Sequence, residues 1–137
     1  MTDTNDADRA RPDFERWDYD SAIDAPPPDE LFDALADATR RRTLWLLLDE
    51  RRTTVEELAD TLLGWRTAER GVVGADEREK VLLSLHHIHL PMLADRGLVA
   101  YDEADGDVRL PSLAEPVRDA IRLSYRYERA TGASGSR

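Results

Sequence analysis

The chain has no cysteine, which excludes a disulfide framework, a thiolate metal site and a cysteine nucleophile. Lysine is almost absent as well, with Lys80 standing alone against eighteen arginines. Long hydrophobic runs are also missing. Stretches such as Leu44 to Leu48 are far too short to cross a bilayer, and nothing at the start has the form of a signal peptide. The expectation is a soluble, cytoplasmic protein without membrane contact. What the chain does have is charge. Of its 137 residues 35% are charged and 41% hydrophobic, with 29 Asp plus Glu against 19 Lys plus Arg, a formal net charge of −10. That length suits one domain with a single core. High net charge keeps a protein soluble but makes the compact state repel itself, and molar salt screens that repulsion within roughly 3 Å. Abundant Asp, one Lys and no Cys fit a salt-in halophile. An acidic mesophilic protein from a GC-rich genome, with Arg favoured by codon bias, is the alternative.

Residues 1–28 carry eight acidic and three basic side chains and end in Pro26-Pro27-Pro28, a stiff spacer that cannot continue a helix. This segment reads as a disordered acidic arm. Phe14, Trp17 and Tyr19 lie within it, either as a motif that docks on a groove or as scattered aromatics of a solvated tail. Helical spacing begins with Leu31, Phe32, Leu35 and Ala36, for which Asp29 is the expected cap, and Asp37 caps a second helix over Ala38 to Asp49. Thr54-Val55-Glu56-Glu57 has the form of a capping box, which predicts a third helix from Val55 to about Leu63 with Gly64 as its stop. Residues 64–75 then read as a loop. A long helix is expected from Asp76 to Arg96, with Gly97 as stop and a kink one turn upstream of Pro91. Leu98 to Tyr101 and Val108 to Leu110 are strand candidates around the hairpin signal Asp105-Gly106. Ser112-Leu113-Ala114-Glu115 is a second capping box, opening a last helix to about Ala130, and 131–137 form a tail.

A helix pair followed by a hairpin is the plan of a winged helix-turn-helix. The residues themselves carry a resemblance. Leu31 to Arg42 (LFDALADATRRR) is similar to the opening of ArsR-like regulators, and Ser84 to Val99 (SLHHIHLPMLADRGLV) is similar to their recognition helix and its exit into the wing. The chain also resembles a little-characterised group of winged-helix proteins of halophilic archaea. The similarity spans about residues 29 to 110, and implies a mainly α fold with a small β-hairpin wing, followed over 111–130 by an amphipathic C-terminal helix. It departs from the pattern in the long 64–75 segment, since the link between the two helices normally takes only a few residues.

The resemblance implies a DNA-binding transcriptional regulator that occupies operator DNA as a homodimer. Basic groups would meet phosphates and polar groups base edges. Arg78, Lys80, Ser84 and His87 are the candidates on the long helix, with Arg109 on the wing. A solvated face in which Arg78 and Lys80 pair with Glu77 and Glu79 is the plain alternative. In the last helix Arg118, Arg122, Arg126 and Arg129 form one stripe, beside an apolar strip of Val117, Ile121 and Tyr125. The resemblance assigns that strip to a dimer interface; the arginines would then flank the seam or attract the acidic arm, and a solvated face with Glu115 and Asp119 as i,i+3 partners is the plain alternative. Arg40-Arg41-Arg42 fan around their helix, and structural use is expected of them. His86, His87 and His89 lack the further ligands a metal site needs; no metal and no cofactor are expected. Neither a phosphate-cradling glycine loop nor a catalytic triad is present, so an enzyme is not expected. The second function reading is a winged-helix protein–protein interaction module without DNA binding, reached through Phe14, Trp17 and Tyr19. A basic or neutral recognition face favours DNA and an acidic one favours a protein partner.

Overall fold

The structure, a computed structural model, describes residues 24–132. Phe14, Trp17 and Tyr19 lie outside the described residues. Helix α1 spans Pro28–Leu35 and α2 spans Ala38–Glu50. Strand β1 (Arg52–Thr54) leads directly into α3 (Val55–Arg70). The next helical rod comprises α4 (Glu77–Ser84), a π-helical turn over Leu85–His89 and α5 (Leu90–Asp95). Strands β2 (Ala100–Asp102) and β3 (Asp107–Arg109) follow, and α6 (Glu115–Thr131) closes the chain.

Several helix ends follow the sequence closely. The Asp37 side chain accepts from the Arg40 amide at 3.1 Å, and Thr54 accepts from the Glu57 amide at 3.1 Å. At the end of α5, the Gly97 amide donates to Ala94 and the Leu98 amide to Leu93, with Gly97 at φ 75°. This is the Schellman stop that glycine favours. Two other caps differ from expectation. Pro28 is the first residue of α1 and Pro27 its cap, so Asp29 lies in the first turn, where its charge suits the helix dipole. Ala114 precedes α6 and no side chain caps it. The Ser112 box does not form, because Pro116 already sets the first turn. The folded part also starts before residue 29, since Ala25 packs against the core.

The largest departure is α3. It does not stop at Gly64 but continues to Arg70, so the expected loop over 64–75 shrinks to the residues after Arg70. A glycine inside a helix costs about 1 kcal/mol. The contacts its continuation provides offset that cost. Trp65 packs against Trp45 of α2 with ring centroids 6.4 Å apart, and Arg66 reaches Glu77 at 2.8 Å.

The expected disturbance upstream of Pro91 takes the form of the π-helical turn. The Leu90 amide bonds Leu85, five residues back, as one residue is accommodated in a widened turn. The buried positions record it: Val81, Leu85, Leu90 and Leu93 are separated by one five-residue step among steps of three and four.

The three strands form an antiparallel sheet in the order β1-β3-β2. Thr53 pairs with Val108, and Val108 with Tyr101. The sequence gives no alternation for β1, which is recruited by its partner β3. Residues Leu98, Val99 and Leu110 fall just outside the strands they were assigned to. At the tip, Gly106 takes φ 77°, as the Asp-Gly signal implies, and its carbonyl accepts from the Val55 amide at 2.9 Å.

The core joins all the layers: Leu44 and Leu47 from α2, Leu58 from α3, Leu85 and Leu90 from the rod, Leu98, Val108 of the sheet and Ile121 of α6 are fully buried. The architecture is mainly α with a small antiparallel sheet: a helix-turn-helix of α3 and the rod, a β2–β3 wing and a C-terminal helix. The arginine run serves structure. Arg40 bonds the carbonyls of Asp33 and Ala34 at the end of α1, and Arg41 bonds that of Leu35. Arg41 also donates to Glu128 of α6 at 2.7 Å, while Arg42 joins both Glu69 and Glu128.

Glu128→Ala leaves two guanidinium groups without their shared carboxylate and should cost about 2–3 kcal/mol in chemical denaturation. The exposed Arg126→Ala should change stability by less than about 0.5 kcal/mol; equal effects would remove Glu128 from its structural role. A Cβ at Gly64 would meet nothing within 4 Å, so Gly64→Ala should stabilise the protein by about 0.5–1 kcal/mol. Destabilisation by that variant would argue against a continuous α3.

Candidate nucleic-acid interface

In a helix-turn-helix, the second helix offers its outer face to a groove and the wing flanks it. Here the rod from Glu77 to Asp95 is that helix. Its N-terminal quarter is charged, but Val81 to Ala94 contains no Asp, Glu, Lys or Arg. On this uncharged stretch His87 is exposed, as are Leu83 (48%) and Ile88 (58%), while Ser84 and Met92 are half-buried. The Ser84 hydroxyl donates to the Val81 carbonyl at 3.1 Å, which ties it to its own helix. The His87 ring stacks edge-on to His86 with centroids 4.6 Å apart.

The basic candidates flank this patch, each beside a carboxylate. Arg78 donates to Asp60 of α3 at 2.7 Å, and Lys80 lies 3.6 Å from Asp76. Their partners therefore differ from the expected Glu77 and Glu79. Arg109 of β3 lies 3.5 Å from Asp107, which also accepts from Arg52 at 2.8 Å. The wing tip is acidic, with Asp102, Glu103 and Asp105 exposed. The structure thus places Ser84 and His87 on the central part of one helix, Arg78 and Lys80 on its N-terminal part, and Arg109 apart from them on the wing.

Two histidines beside this face are built into the fold. The Arg40 guanidinium approaches His89 Nδ1 at 3.3 Å. Burial first, and then the Arg40 and Arg66 cations, hold the His89 pKa below its ordinary value against the opposing pull of Asp37. His86 Nδ1 pairs with the Tyr101 hydroxyl at 2.5 Å. Burial, followed by the Glu103 and Glu56 carboxylates, pushes the Tyr101 pKa up. Among the described residues no group of three or more His, Asp and Glu is arranged to hold a metal ion. No described helix is long and apolar enough to cross a membrane.

Of the three residues assigned to a dimer interface, Val117 and Ile121 are buried in the chain's own core, so they are not available to a second copy. The amphipathic pattern that marked them is real, but its apolar side faces inward. Tyr125 keeps 43% of its surface exposed and packs edge-on against Trp45, with centroids 5.1 Å apart. Sequence reasoning missed the surface this creates. Trp45, Trp65 and Tyr125 line an open groove of about 610 Å³ between α2, α3 and α6, with Arg122 and Arg126 on its rim. Assigning Trp65 to a loop concealed it. On the other flank of α6, Leu123 and Tyr127 are exposed.

His89 gives the fold a pH dependence with a definite sign. A histidine whose pKa is depressed on folding takes up its proton more readily when unfolded, so protonation favours unfolding. Stability should be unaffected by His89 above its unfolded pKa of about 6.5 and fall on acidification through that value, until the folded pKa is passed. His89→Gln should flatten the stability profile between about pH 7 and pH 5. An unchanged slope in denaturation midpoints would show that His89 is not the group responsible.

No curated protein and no solved structure matches the chain. A family model described as "Domain of unknown function (DUF7344)" matches residues 32–109, from α1 through the wing, which is more than half of the chain. The chain belongs to this DUF7344 family.

Proposed function

We propose that this chain is a DNA-binding transcriptional regulator, without enzymatic activity, that binds operator DNA in the cytoplasm through the middle of its second helix-turn-helix element. The observation that carries this reading is the uncharged exposed face around His87 and Ile88, in a protein otherwise dense with carboxylates. Phosphate attraction weakens with salt for every protein. In molar salt, a reader must draw more on base-edge hydrogen bonds and apolar contacts, and a neutral helix face supplies both. His87 offers ring nitrogens to base edges, and Leu83 and Ile88 suit thymine methyl groups. Ser84 is a weaker contributor because its hydroxyl is already engaged. Arg78, Lys80 and Arg109 act as secondary phosphate contacts that must exchange a carboxylate partner on binding. Homodimerisation would use the outer flank of α6, where Leu123 and Tyr127 are exposed, in place of the buried Val117 and Ile121.

A second reading has its own observation. The acidic wing and the ion-paired Arg78, Lys80 and Arg109 favour a basic protein partner over a polyanion, with Leu83 and Ile88 as the apolar centre of the contact.

Selection of fragments from a random DNA pool in molar potassium chloride separates the two. Enrichment of a two-fold motif is expected, and His87→Ala should weaken binding to the selected site by roughly tenfold while leaving non-specific binding unchanged. Absence of enrichment, with the helical circular dichroism of the folded protein intact, would overturn the regulator reading in favour of a protein partner.

A further inference from the structure

The groove between α2, α3 and α6 has no role in the DNA reading. Its walls are the rings of Trp45, Trp65 and Tyr125 with Leu46 and Leu48, and its charged lining residues are Arg122 and Arg126 against the single carboxylate of Asp49. The arginines beside it are only lightly committed. Arg122 contacts Asp119 at 3.3 Å with both side chains about half exposed, and Arg129 lies over the Tyr125 ring at 5.7 Å. A surface of this kind suits a segment that alternates aromatic rings with carboxylates, since rings stack on the walls and carboxylates meet the guanidinium rim.

The chain contains such a segment. Residues 13–20 read Asp-Phe-Glu-Arg-Trp-Asp-Tyr-Asp, with three aromatics among four carboxylates and one arginine. The described chain also begins in the right neighbourhood. Asp24, Ala25 and Pro26 share a surface cleft with Pro111, Ala114 and Val117 at the start of α6. From Val117 to Tyr125 is about 12 Å along a helix axis. From Asp24 back to Trp17 the chain spans up to about 23 Å when extended. That contour length exceeds the axial distance from Val117 to Tyr125.

We propose that residues 13–20 dock in cis into the Trp45–Trp65–Tyr125 groove, with Phe14, Trp17 and Tyr19 against its rings and the acidic side chains facing Arg122 and Arg126. The occupant is this chain's own N-terminal segment, which carries aromatic rings to pack on those of the groove and an excess of carboxylates to face its arginines. Docking covers the exposed aromatic surface and neutralises the arginine rim, and it leaves the helix-turn-helix face open.

The absence of native cysteine makes the test direct. Ala10→Cys in the full chain gives a single thiol for a nitroxide label close to the segment but outside it. Proton–nitrogen spectra then report on the indole N–H of each of the three tryptophans, and Trp17 broadens in every self-labelled sample as a control. The expected result is that Trp45 and Trp65 lose most of their signal when label and nitrogen-15 are on the same molecule. They should recover it when Arg122→Glu and Arg126→Glu are added, both being exposed positions. Retention of both indole signals, or loss that the charge reversal does not relieve, would overturn the proposal. So would broadening in a mixture of labelled and nitrogen-15 molecules, because it would make a second copy the occupant. None of these outcomes depends on whether the protein binds DNA.

Discussion

The position of the C-terminal helix depends on one buried carboxylate. Glu128 is 8% exposed and is shared by Arg41 and Arg42, so a charge that would be costly alone is held by two guanidinium groups of α2. A buried network of this kind contributes more to specifying one arrangement than to net stability, since desolvation cancels much of the attraction. It is also screened by salt far less than exposed pairs are. With α6 fixed there, Ile121 closes the core and the Trp45 indole N–H donates to Ser124 at 2.9 Å. The same placement turns Tyr125 toward Trp45 and creates the groove.

The charge distribution divides the surface into regions of different character. Carboxylates cover the wing tip and the start of the helical rod, where they pair with the few basic side chains or face solvent. From Val81 to Ala94 that pattern stops. Some of those uncharged residues belong to the core, but Leu83, His87 and Ile88 do not, and burial therefore cannot explain them. An exposed neutral patch in so acidic a surface gives a partner a site it can approach without displacing hydrated carboxylates. Such a patch suits a DNA groove and a protein surface alike.

Much of the fold was legible in the sequence because its signals are local. Asp37 and Thr54 cap helices in ways that depend only on the next three residues, and Gly97 and Gly106 take left-handed backbone conformations that few other residues accept. The misreadings arise where distant contacts override local preference. Gly64 is a helix breaker by propensity, but Trp65 and Arg66 anchor the following turn to α2 and α4. Strand β1 has no pattern of its own, and it exists because β3 lies beside it. The amphipathic period of α6 correctly located an apolar stripe, yet periodicity alone cannot say whether that stripe faces the chain's own core or another molecule. For the candidate site, the sequence placed Arg78, Lys80, Ser84 and His87 on one helix but did not show the ion pairs of Arg78, Lys80 and Arg109, since Asp60 lies eighteen residues from Arg78 and on a different helix.

The π-helical turn has a consequence for how positions are transferred between related chains. A widened turn is an inserted residue that the helix has absorbed. With Leu90 and Leu93 as the fixed reference, every residue upstream of the turn lies one place out of step with a regular helix, a rotation of about 100°. The location that a regular helix would give to Ser84 is thus filled by Leu83. A gapless comparison of this helix with a regular recognition helix matches letters correctly on one side of the turn and misassigns the outward-facing side chains on the other.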